Sequence, residues 1–267
     1  MSGIDNAFHV ARTGLQMAEK TLGVKAMNIA GQNADAYKKQ YMITLDLPYL
    51  DQGGVGTSTS NNNTIAPTGT QIGLGVQSGG IYRDFSQGEG IQTNNYLDLM
   101  IDGEGFFEVT MPDGTTSYTR VGALQLSPNS EIVMPKTGYV VAPGIILPTG
   151  TTDVSINTQG QVFAKSSGST TPVLVGQFEL STFFNPSGLK AIGDSMFQET
   201  PASGTPDKGA PGTIKRGNIK QGWREGANVN AVEEMTDLIR IEKIYDMLTK
   251  ILKTGDAMMS SATSIGR

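Results

Sequence analysis

Two stripes of apolar residues at helical spacing stand near the two ends of the chain. Near the amino terminus Ile4, Phe8, Ala11, Leu15, Ala18, Leu22, Ala26 and Ile29 recur at intervals of mostly three and four, which places them on one helical face. A strict seven-residue repeat would use Lys25, so the pattern predicts a slip to Ala26 at that point. Gly14 and Gly23 each lower the intrinsic helix propensity by about 1 kcal/mol. Near the carboxy terminus Val232, Met235, Leu238, Ile241, Tyr245, Leu248, Leu252 and Met259 form a second stripe, widened by Ile239, Ile244 and Ile251. Asn228 or Asn230 is placed to cap that helix, with Glu233 and Glu234 in its first turn and Lys250 and Lys253 later, an order that suits the helix dipole. Each helix alone is marginal, so the pattern predicts that they pair with each other or with copies from other subunits.

Between the stripes the period changes. Short β-prone runs at 106–111, 117–121, 132–134 and 174–180 alternate with Gly, Pro, Asn and Ser turns, the signature of an all-β body. Pro112, Asp113 and Gly114 separate two runs and predict a hairpin, because they supply a preset φ followed by a residue tolerant of positive φ. The stretches 53–64 and 201–212 are polar and rich in Gly and Pro, and predict flexible loops or linkers. The fold class is therefore α+β: long N- and C-terminal helices pairing as a coiled coil, with a central all-β body.

Composition narrows the function. A chain of 267 residues with 37% hydrophobic content can bury a core, and a net charge of −5 without a block of either sign argues against nucleic acid as a partner. The absence of cysteine excludes disulfides, thiolate metal sites and cysteine nucleophiles. The first ten residues lack the basic and apolar regions of a secretory signal, and no run approaches the roughly 18 apolar residues of a membrane span. Asp98, Asp102 and Glu104 lie close together but match no calcium-loop spacing. His9 has no nucleophile motif beside it. Gly73-x-Gly75 and Gly88-x-Gly90 lack the third glycine of a dinucleotide fingerprint and read as turns. Trp223 reads equally as an interface anchor or as a staple onto the body. Phe106 and Phe107 point to opposite faces of a strand, so one of them is expected to need a cover, such as a neighbouring subunit. No catalytic residue, metal, cofactor or small-molecule substrate is expected, and the chain does not read as an enzyme.

The middle of the chain carries a compound signature. Ser86, Gln87 and Gly88 begin an SQG segment, Asn94 and Asn95 follow, then Asp98-Leu99-Met100-Ile101-Asp102-Gly103-Glu104-Gly105-Phe106-Phe107, and then Tyr118-Thr119-Arg120-Val121-Gly122. This series resembles the segments SQG, TNN, DLAIxGxGFF and YTRxG of the bacterial flagellar basal-body rod and hook axial proteins. The segments 67–76, 175–178 and 185–189, and the run from Asn228 to Ile239, resemble further family stretches, the nearest pattern being the distal-rod type. The chain departs from the family at 28–39 and at 241–247.

The resemblance implies a structural subunit of the distal rod, a drive shaft that crosses the periplasm and transmits torque to the hook. It implies export through the flagellar type III apparatus without a cleaved signal peptide, and assembly as a helical homopolymer in contact with other rod and hook subunits and with ring proteins around the rod. Residues 1–36 and 226–267 would be the helices of an inner coiled-coil domain, 37–80 an extended rod-type segment with a flexible loop, within which 41–65 stiffens the rod, and 81–225 a β-rich outer body. Ile4, Phe8, Ala11, Leu15, Leu22, Ile29, Val232, Met235, Leu238, Ile241, Tyr245, Leu248 and Leu252 would carry subunit contacts. A proximal rod or hook-type subunit remains open, as does a secreted β-rich binding module with helical oligomerisation ends.

Overall fold

The structure, a computed structural model, describes residues 3–53, 69–167, 171–213 and 215–265. The loop expected at 53–64 lies outside the described residues from 54 onward. The chain divides into two compact units built from discontinuous segments: Met1–Ala30, Gln40–Tyr82 and Asn230–Arg267 form one, and Gly31–Lys39 with Arg83–Val229 forms the other.

The first unit holds both helices, α1 over Gly3–Gly31 and α2 over Ala231–Ile265. Asn230, rather than Asn228, starts α2: its side-chain oxygen accepts the backbone N–H of Val232 at 3.1 Å and of Glu233 at 3.5 Å. Glu233 and Glu234 occupy the first turn, as the dipole argument requires. Lys250 and Lys253 are mid-helix, because α2 runs on to Ile265 and its last turn contains no basic residue. Strands β1 (Gln40–Asp46) and β4 (Val76–Arg83) pair, and β2 (Tyr49–Gly53) pairs antiparallel with β3 (Thr70–Gly73), so the unit also contains a β ribbon. The ribbon runs along α1, where His9 Nδ1 meets the Leu74 carbonyl at 3.0 Å and Lys20 donates to Ser78 at 2.9 Å. Gly75 makes the approach possible. It adopts φ +114°, and a Cβ there would lie 2.2 Å from the Thr13 hydroxyl.

The second unit is the β body, in which β5 (Gly90–Gln92), β6 (Leu99–Asp102), β7 (Phe106–Thr110) and β8 (Thr116–Thr119) come first. The predicted hairpin is present: β7 and β8 pair antiparallel across a turn in which Gly114 takes φ +78°. Further strands extend that sheet on both sides, with Met196–Gln198 on β8 and both Val140–Val141 and Leu180–Thr182 on β7. A three-stranded antiparallel sheet of Thr151–Ile156, Gln161–Ser166 and Val173–Gln177 lies in the same unit. The main core gathers Leu99, Ile101, Phe107, Val109, Leu124, Phe178, Leu180 and Ile219.

Two expectations are corrected here. Phe106 and Phe107 are both buried within the chain, because the second face of β7 has its own cluster of Phe106, Tyr118, Phe183, Leu189 and Phe197 with Phe85 against it. Segment 201–212 is built into the body rather than left as a linker: Asp207–Gly209 pairs with Leu180–Thr182, and Ser203 is buried, donating its hydroxyl to the Thr200 carbonyl at 2.8 Å. Hydrogen bonding, rather than apolar burial, orders this polar stretch.

Candidate assembly interface and its buried ion clusters

On α1 the residues Phe8, Leu15, Leu22 and Ile29 are half-buried and Ala11 and Ala18 buried; Ile4 belongs to the same helix, its side chain outside the described residues. On α2, Leu238, Ile241, Leu248 and Leu252 are half-buried, and Tyr245 is more exposed. Three contacts set the two helices antiparallel: Lys25 meets Glu234 and Asp237, a Cβ on Gly14 would lie 3.2 Å from Leu248, and one on Gly255 would lie 2.6 Å from Phe8. The facing residues of α2 are therefore Glu234, Leu238, Ile241, Tyr245, Leu248, Leu252 and Gly255, alternating at four and three.

The same rule places Lys25 on the α1 seam and corrects the expected slip. Ala26 is exposed, whereas Lys25 stays in step and donates to Glu234 at 3.2 Å and Asp237 at 2.7 Å. Glu234 is fully buried and also accepts from Asn28 at 2.9 Å. Burial depresses the Lys25 ammonium, but its bonds to Asp237 and Glu234 outweigh this and hold its pKa above the ordinary lysine value.

Val232 and Met235 are not drawn onto the seam. They begin a run of apolar side chains that α1 leaves exposed: Val232 at 74%, Met235 at 58%, Ile239 at 52%, Met247 at 56% and Ile251 at 51%. The scale of this run separates it from the single apolar residues found on any surface.

In the β body the signature residues converge on Glu225, a residue that sequence reasoning did not select. Its carboxylate is fully buried and accepts from Lys38 at 2.7 Å, Arg120 at 2.8 Å and the Gly88 N–H at 3.0 Å. Two further donors of Arg120 reach the carbonyls of Gly105 at 3.0 Å and Gly103 at 2.9 Å, and Lys38 also donates to the Ser86 carbonyl at 2.6 Å. Gln87 accepts the Gly103 N–H at 2.9 Å, which ties the SQG segment to the glycine turn.

Glycine is required at several of these positions by space or conformation. A Cβ on Gly88 would lie 2.1 Å from the Gly226 carbonyl oxygen, and one on Gly122 would lie 1.6 Å from that of Leu99. Gly103 and Gly105 both take positive φ. Tyr118, Phe106 and Phe107 fill the two cores, and Thr119 donates to the Ser195 carbonyl at 3.0 Å. Asp98 pairs with Arg224 at 3.2 Å and Asp102 with Lys220 at 2.6 Å. Trp223 is half-buried beside Gly90 and Met100, as a staple on the body would be.

One carboxylate shared by two cations has a definite electrostatic consequence. Burial pushes the Glu225 carboxyl up, but Arg120 and Lys38 together outweigh it and hold its pKa below the ordinary range. Lys38 has the opposite balance, since burial and the neighbouring Arg120 charge depress its pKa more than Glu225 raises it. The carbonyls of Ser86, Gly103 and Gly105 supply the negative potential that a single carboxylate cannot.

Known families match the two sides of this ion cluster. The family model described as the flagellar hook protein FlgE/F/G D1 domain matches residues 100–164, which include Arg120. The model described as the flagellar basal body rod FlgEFG protein C-terminal matches residues 220–265, which include Glu225 and all of α2. The flagellar basal-body rod protein FlgG of Caulobacter vibrioides is 38% identical to the chain over 97% of it and 98% of the relative. The chain belongs to the FlgG family of flagellar basal-body rod proteins. Agrobacterium fabrum FlgG is 39% identical over 95% of the chain and 97% of the relative. Against the rod protein FlgF of Caulobacter vibrioides identity falls to 27% over 99% of both chains, below the 38% to FlgG of the same organism.

Proposed function

We propose that this chain is a structural subunit of the flagellar distal rod, where it assembles helically into the shaft that transmits torque to the hook. The observation that carries the mechanism is the exposed apolar run on α2 from Val232 to Ile251. One face of α2 is occupied by α1, and the exposed run is available to neighbouring copies in a helical polymer. Heterologous contacts that do not close into a ring produce such a filament. The terminal helices act as the inner coiled-coil layer, the β body as the outer layer, and the segment 41–65, whose described part 41–53 lies in the ribbon, as the extension that stiffens the distal rod. Other axial subunits, the surrounding rings and the type III export apparatus are the partners this role requires.

The test is a double substitution on the exposed run, I239E with I251E. Both side chains are about half exposed, at 52% and 51%, so the monomer should keep its stability to within about 0.5 kcal/mol while losing the ability to sediment as a polymer. Hydrogen exchange provides a second readout, with the outer face of α2 becoming protected only on assembly. A variant that polymerises like the parent removes the run from the assembly interface.

A further inference from the structure

The polar group at the α1–α2 seam is costly for stability alone. Glu234 is fully buried, the Lys25 side chain is 11% exposed, and Asn28 is fully buried between Glu234 and the start of β1. Asn28 donates to Glu234 at 2.9 Å and to the Gln40 carbonyl at 2.9 Å, and accepts the Gln40 N–H at 2.9 Å. Apolar residues at Lys25 and Glu234 would fill a heptad seam at no desolvation cost, and buried ion pairs are often neutral or unfavourable beside such replacements. Their value lies in what they forbid.

The rest of the seam discriminates poorly between registers. Apart from Phe8 against Gly255, its residues are Ala, Leu, Ile and Tyr at a seven-residue repeat, so sliding α2 by one heptad again sets apolar residues against apolar residues. The polar group breaks that degeneracy in both directions. A slide of one sense brings Glu234 to the level of Ala18 and Thr21, and a slide of the other brings Lys25 to Ile241 and Ile244. Either one leaves a buried charge without its partner.

We propose that Lys25, Asn28 and Glu234 form a register lock that fixes α1 and α2 in a single antiparallel alignment. Through the paired bonds of Asn28 to Gln40, the lock ties that alignment to the start of the β ribbon. The inference goes beyond the rod reading and does not depend on it, because the lock operates within one chain.

The absence of cysteine makes the test direct. In the parent, the native pair G14C with L248C and the heptad-shifted pairs G14C with I241C and T21C with L248C are introduced separately. Each is treated with a short bismaleimide at a dilution that prevents intermolecular reaction. The native pair should cross-link at least tenfold faster than either shifted pair. In the K25L and E234L double variant, one or both shifted pairs should come within threefold of the native one, while helicity and thermal stability are kept or raised. A double variant that retains the parent's tenfold preference overturns the lock. One that fails to fold also overturns it, because the pair would then be a source of stability rather than of alignment. Polymer formation is scored separately by sedimentation, so failure of the lock and failure of the rod reading are distinguishable.

Discussion

Replacing Glu225 by Gln tests the physical account of the β body most sharply. The substitution keeps the shape of the side chain and deletes one negative charge between Lys38 and Arg120, whose side chains are 0% and 3% exposed. Two cations then share a dry site with a neutral amide. Breaking a buried pair by removing one partner costs about 3–5 kcal/mol, a large part of the roughly 5–15 kcal/mol that holds a domain together. Trp223, the only tryptophan, lies two residues away on the strand that pairs with β5, so its fluorescence follows unfolding at the cluster. With a urea dependence of about 2 kcal/mol per molar, the midpoint should fall by about 1.5–2.5 M.

The loss must also depend on pH. Since the folded carboxyl titrates below its ordinary value near 4.5, its stabilisation is complete above that pH and disappears as pH falls through the lower folded value. The difference between parent and E225Q should therefore be full at pH 7 and shrink towards zero in acid. A midpoint shift under about 0.3 M at pH 7, or a difference that does not change with pH, would refute the argument.

Three further outcomes follow from named contacts. Gly122→Ala should cost more than about 3 kcal/mol or prevent folding of the β body, because its Cβ would lie 1.6 Å from the Leu99 carbonyl oxygen; a melting temperature equal to the parent's would contradict that contact. Asn230→Ala should cost about 1 kcal/mol and raise amide exchange in the first turn of α2 alone, since the side chain caps Val232 and Glu233. Replacing Leu238 and Leu248 together by Asp should abolish assembly and separate the helices while circular dichroism of the β body persists; loss of the β signal as well would show that the two units do not fold independently.

Much of the fold was readable because its signals are local. Helical spacing located α1 and α2, and the Pro-Asp-Gly step located the β7–β8 hairpin to the residue. The misreadings arose where a long-range partner reverses a local preference. Lys25 looks like a break in an apolar repeat until Glu234 and Asp237 are brought beside it from more than 200 residues away. Segment 201–212 looks like a linker until Leu180–Thr182 offers it a strand to pair with. Phe106 looks half-covered because its cover comes from Phe183, Leu189 and Phe197, none of which is adjacent in sequence.

The signature and the cluster it surrounds show the same division. Ser86, Gly88, Gly103, Gly105 and Arg120 are visible as a motif, yet nothing in their order states what they surround. Glu225 is 105 residues from Arg120 and 187 from Lys38, in a stretch that reads only as the approach to a helix. The chemistry of the motif still implied an acceptor. An Arg that donates to two carbonyls of a glycine turn has a further N–H to satisfy, and a buried guanidinium requires an anion. Lys38 and Glu225 lie on the segments that lead out of α1 and into α2. The cluster holds these two segments to the motif of the β body through Lys38, Glu225 and Arg120. The spacing of the motif residues in sequence therefore follows from the distant carboxylate that they enclose, which local pattern does not show.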